Sequence, residues 1–126
     1  MTLAQLIVST ALLSAAALAH ALDLKPYTAE ALADAQKADK PVALHFHADW
    51  CPTCKAQGKV LQTLQAEPGL DLTVLVADYD TEKALKQRFN IRSQATLVVL
   101  RGTHERGRVV GDTSATGIRA VLKSAL

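Results

Sequence analysis

A chain of 126 residues has room for one domain and not for two. It is 49% hydrophobic, enough to bury a core, and its formal net charge of +2, with acids and bases interspersed, gives no electrostatic reason to bind nucleic acid or an anionic membrane. Its two cysteines, Cys51 and Cys54, are too few and too close together for a disulfide framework, since the loop they close is too short to remove much entropy from the unfolded chain.

The first segment in chain order reads as an address. Leu6 to Ala19 carries no charge, and Ala19-His20-Ala21 fits the small-x-small pattern of a signal-peptidase site. Residues 1–21 are therefore read as a signal peptide and 22–126 as the mature domain, although Met1 to Gln5 contains no Lys or Arg. The uncharged run from Met1 to Leu22 is also long enough to span a bilayer. An uncleaved anchor is thus the alternative, and only then is a membrane a partner. Export predicts a periplasmic or secreted protein in an oxidising space.

Thr28 caps a helix running to about Asp39, with Leu32 and Ala35 inward, and Lys40-Pro41 ends it. Val42 to Ala48 reads as a strand. A helix follows from Cys51 or Pro52 to Ala66, turning Val60, Leu61 and Leu64 inward. Glu67-Pro68-Gly69 is a turn, and Leu72 to Ala77 is a strand apolar enough to be covered on both faces. Asp80 or Thr81 caps a short helix through Phe89. Thr96 to Leu100 is a buried strand, Gly102 and His104 lie in a turn, and Arg106 to Val110 is the returning hairpin strand. The last helix starts at Asp112, Thr113 or Ser114 and buries Ile118, Val121, Leu122 and Ala125. A further strand before Thr28 could only be Leu22 to Lys25. This order predicts an α/β fold, a mixed sheet with helices on both faces.

The chemistry concentrates where the first of these strands hands over to a helix. Cys51 falls at the helix amino terminus, where unpaired N–H groups and the helix dipole favour a thiolate and lower the thiol pKa. Cys54 lies one turn later and deeper. Pro52 suits the first helical turn, where its missing N–H costs nothing. A thiolate on Cys51 can attack a partner disulfide and Cys54 can resolve the mixed disulfide, or the pair can donate its own disulfide.

With that context the run Phe46-x-Ala48-Asp49-Trp50-Cys51-x-x-Cys54-Lys55 resembles the active-site signature of the thioredoxin family. Phe89-x-Ile91-Arg92, the Thr96-Leu97 strand and Gly111 fall where that family has similar residues, and the resemblance covers Thr28 to Leu126. It implies a thioredoxin-like three-layer α/β/α sandwich and a thiol–disulfide oxidoreductase. Cys51 and Cys54 would be catalytic, and Trp50, Pro52, Thr53, Gln94 and Ala95 would form the docking surface.

Four positions depart from the family pattern. Ala95 stands where the family places a cis-proline, and since a cis bond before a non-proline costs about 2.5–4 kcal/mol, the Gln94–Ala95 bond is expected to be trans. His45 occupies the place of the buried proton-relay carboxylate, and Val76 that of its lysine partner. His45 is expected to tune the redox pair, because an imidazolium there would favour the thiolate and so the reduced form. His47 replaces the second aromatic of the signature, on the same strand face as His45. The kink proline of the long helix is absent; Lys59 holds its place, and Gly58 beside it could allow a bend.

The reading is an exported enzyme that reduces protein disulfides through Cys51 and Cys54. It needs no cofactor, exchanges electrons with a redox partner protein and acts as a monomer. Two rivals stand. The same pair could serve as a disulfide donor, which the Pro52-Thr53 dipeptide suggests by analogy with oxidants. Alternatively, His45, His47, Cys51 and Cys54 could form a copper or zinc site, the donor set being suited to either metal.

Overall fold

The computed structural model describes residues 21–126. Residues 1–20, which hold all of the signal segment but Ala21 and all of the possible anchor up to His20, lie outside the described residues. Five strands and four helices follow one another in the order β1 (Asp23–Pro26), α1 (Ala29–Lys37), β2 (Pro41–His47), α2 (Pro52–Leu64), β3 (Thr73–Asp78), α3 (Lys83–Arg88), β4 (Thr96–Arg101), β5 (His104–Val110) and α4 (Ala115–Lys123). The sheet order is β1-β3-β2-β4-β5, so β2 lies at the centre. It pairs parallel with β3 and antiparallel with β4, which makes the sheet mixed. The expected α/β/α architecture is the observed one.

Alternation along the strands divides the core in two. Val42, Leu44 and Phe46 of β2 pack with Leu75, Val98 and Leu100 beneath Leu32 of α1 and Leu85 of α3. Ala43 of β2 faces the opposite way, with Val74, Leu97 and Val99 under Leu61 and Leu64 of α2 and Ile118, Val121 and Leu122 of α4. The small Ala43 and the two histidines of β2 therefore look toward α2.

Several element ends differ from the sequence reading. The four residues of β1 do form a strand, parallel to β3 and starting one residue later than expected. Leu22 just ahead of it is buried among the α2 and α4 side chains. Neither Asp80 nor Thr81 caps α3: its N-cap is Glu82, which makes no side-chain cap bond. His104 is not in the turn but is paired with Arg101 at the start of β5, across a two-residue connection in which Gly102 takes φ +56°. Thr28 and Ser114 do cap α1 and α4, accepting from Ala31 N and Gly117 N at 3.0 Å each.

Candidate active site

β2 delivers the chain to the sheet's carboxyl edge at His47, and Ala48-Asp49-Trp50 turns it into α2. Cys51 is the N-cap of that helix and Pro52 stands in its first turn. The Cys51 sulfur accepts a hydrogen bond from the Cys54 amide at 3.1 Å. This is the N-cap role an oxygen usually fills, and it points a helix amino terminus at the sulfur that must carry negative charge. The two cysteines are joined as a disulfide, with Cα atoms 5.3 Å apart. Both are buried in this oxidised form. Cys54 Sγ lies 3.9 Å from the Phe46 carbonyl, an acceptor for its hydrogen once the bond is reduced.

A second loop closes over the pair. Ala95 is buried in one cluster with Ala48, Cys51 and Cys54, with Tyr79 packed against it. Its amide donates to Phe46 O at 2.9 Å, which ties the loop to β2 behind the cysteines. All peptide bonds among the described residues are trans, as expected for Gln94–Ala95, but Ala95 itself takes φ +59°. A left-handed backbone on an alanine is a sparsely populated state, held here by the bonds around it. Gln94 is half-buried just ahead of it, and its carbonyl accepts from the Ser93 hydroxyl at 2.8 Å. Pro52 is exposed and Thr53 half-buried on the outer side of the cysteines.

Trp50 is 59% exposed beside Cys51. Its indole N–H donates to the Asp80 carboxylate at 2.7 Å. Asp80 is thus an anchor for the indole rather than the helix cap the sequence suggested, and its own amide is held by Asp78 Oδ1 at 2.9 Å. Trp50, Asp80 and His47 line a shallow cavity of about 260 Å³. His47 is half-exposed and pairs with Asp49 at 3.1 Å.

His45 lies inward from His47 on the same strand face and is buried. Val76 is its register partner on β3, so no lysine side chain stands there. The imidazole bonds through Nε2 to Gln57 Oε1 at 2.9 Å. Burial pushes its pKa down to about 4; the Gln57 bond opposes the shift and the neighbouring His47 adds to it. His45 is therefore neutral near pH 7. The proposed metal set does not assemble. Among the described residues no group of three or more His, Cys, Asp or Glu is placed to hold a metal ion. The reason is visible in the contacts: His45 is turned to Gln57, His47 to Asp49, and the sulfurs to one another.

Comparison with known proteins agrees with this geometry. The family model for thioredoxin matches residues 25–124. The chain belongs to the thioredoxin family. It is a thiol–disulfide oxidoreductase of that family, which acts on protein disulfides together with redox partners. It is 34% identical to a thioredoxin of Mycobacterium bovis over 90 residues, covering 71% of this chain and 75% of that one. It is equally close, over 91 residues, to the bifunctional thioredoxin reductase/thioredoxin of Mycobacterium leprae, but spans only 19% of that protein. Among solved structures, Trxlp from Edwardsiella tarda superposes with a TM-score of 0.74 at 38% identity, covering 79% of this chain and 98% of that one.

Gln57 escaped the sequence reading. The signal was present: α2 buries the stripe Cys54, Gln57, Leu61 and Leu64, and a glutamine in an otherwise apolar stripe one turn after a reactive cysteine demands a partner. Asp80 could not have been found that way, because its partner lies thirty residues away in sequence.

Proposed function

We propose that the protein is exported and works as a monomer that reduces disulfides of partner proteins. The observation that carries the redox direction is the buried His45, neutral with its pKa lowered by burial and bonded to Gln57 one helical turn after Cys54. An imidazolium there would stabilise the thiolate and with it the reduced state, making the pair more oxidising. A neutral ring supplies no such charge, so the reduced pair gives up its electrons more readily.

The exchange follows from the site. Cys51 thiolate attacks one sulfur of a substrate disulfide. A Cys51–substrate S–S bond forms, the substrate's own S–S bond breaks, and its first sulfur leaves as a thiolate that takes up a proton. Cys54 then loses its proton and attacks Cys51 Sγ. The Cys51–Cys54 disulfide forms, the Cys51–substrate bond breaks, and the second substrate sulfur leaves as a thiolate that takes up the proton Cys54 released. Two electrons have passed to the substrate, and a reduced dithiol protein must return them. The Mycobacterium leprae relative, whose name joins a thioredoxin to a thioredoxin reductase, suggests the class of that donor. Trp50, with Pro52, Thr53, Gln94 and Ala95, forms the rim against which the substrate chain lies. In this reading His45 tunes the pair by staying neutral and withholding a positive charge from the thiolate.

Equilibration of the Cys51–Cys54 pair against defined thiol buffers tests the direction. A potential at or below about −250 mV is expected, and one near about −150 mV would make the protein a disulfide donor instead. Export is checked separately by the amino-terminal residue of protein recovered outside the cytoplasm, expected to be Leu22.

A further inference from the structure

Gln57 is the only buried side chain of α2 that is neither apolar nor a cysteine. It makes three hydrogen bonds. Its Nε2 donates to Ala95 O at 3.0 Å and to Asp112 O at 2.9 Å, and its Oε1 receives His45 Nε2 at 2.9 Å. Chemistry fixes this orientation. Two backbone carbonyls can only accept, so the amide nitrogen must face them and the amide oxygen must face the ring. The neutral ring then carries its hydrogen on Nε2, leaving Nδ1 as the nitrogen with the free lone pair.

The three partners belong to three segments: β2, the loop over the cysteines, and the turn before α4. Gly111 N, next to Asp112, also donates to Ala95 O, at 2.9 Å. The Ala95 carbonyl thus receives two donors while its backbone sits at φ +59°. Proline would set this loop by its own ring; alanine has no such constraint, and the left-handed conformation must be imposed from outside. An apolar side chain at 57 could fill the space but could not hold the loop.

We infer that Gln57 is a positioning residue for disulfide exchange: its carboxamide fixes the Ala95 loop against the Cys51–Cys54 pair and holds His45 in the Nε2–H form. On the docking surface proposed above, on which this inference rests, a substrate protein lies along that loop, whereas a small disulfide needs only the sulfur of Cys51. The two kinds of substrate should therefore respond differently to loss of the clamp.

The test compares Gln57→Met and wild type, each full-length and reduced, in the reduction of insulin and of cystine. With fold verified by circular dichroism, the variant is expected to reduce insulin about tenfold or more slowly and cystine within about twofold of wild type. Equal rates on insulin, or equal losses on both substrates, would overturn the inference. Wild type inactive on both would instead overturn the exchange reading itself. A second measurement needs no variant. Nitrogen NMR of isotope-labelled wild type should show His45 with its hydrogen on Nε2 alone, and the opposite tautomer would overturn the clamp even if Gln57→Met fails to fold.

Discussion

The central strand sends two different sets of side chains to the two sides of the sheet. Val42, Leu44 and Phe46 enter a layer under α1 and α3 that is apolar except for Thr96, the register partner of Phe46, whose hydroxyl donates to Ser93 O at 2.8 Å. Ala43, His45 and His47 look the other way, where α2 brings Gln57 to His45 and the cysteines stand at the helix start. The strand's period of two thus separates fold from chemistry within seven residues. One side gains its free energy chiefly from apolar area, while the other carries a buried polar cluster, tolerated because each group is hydrogen-bonded. No buried side-chain nitrogen or oxygen among the described residues lacks a partner.

Substitutions on each side should therefore leave different signatures. The largest effect on stability is expected from Leu44→Ala, which opens a cavity in the apolar layer. It should cost about 2–5 kcal/mol in denaturant unfolding. The rate of exchange by the folded fraction should stay at the wild-type value, and a matching fall in that rate would show that the two sides are not separable.

His45→Leu should change the pH dependence of stability instead. The folded-state pKa of about 4 lies below the ordinary value of 6.5, so between those values the unfolded chain binds the proton more tightly. Stability is then complete above about pH 6.5 and is lost as pH falls toward 4. A shift of this size corresponds to roughly 3 kcal/mol. The variant should lack that component, and equal acid sensitivity of the two proteins in urea titrations would mean that folded His45 is already protonated. The smallest effect is expected from Asp80→Asn, which weakens the anchor of the exposed indole. Reduction of insulin should slow roughly two- to tenfold, as for loss of one hydrogen bond. Trp50 fluorescence should shift with it; an unchanged spectrum would mean that the indole is held otherwise.

The sequence carried the architecture because its signals are local. Thr28 and Ser114 cap helices within three residues of themselves, and the apolar stripes of α2 and α4 repeat at helical spacing. β1 was hard to read because four residues including a proline have little strand propensity of their own. Only pairing with β3 makes them a strand. The site was legible in the same measure. Cys51 and Cys54 act through their place at a helix start, which a strand-to-helix boundary announces. Asp80 was misread because its local pattern suits a cap while its partner is remote.

Sequence by itself thus determined the thiol pair, the helix that presents it and the absence of a proline at Ala95, since each depends on neighbours a few residues away. Tertiary structure decided the rest. It made His45 neutral, because the desolvation that lowers its proton affinity exists only once α2 covers β2. It also gave Gln57 its three partners, because His45, Ala95 and Asp112 are brought to one amide only by the folded sheet.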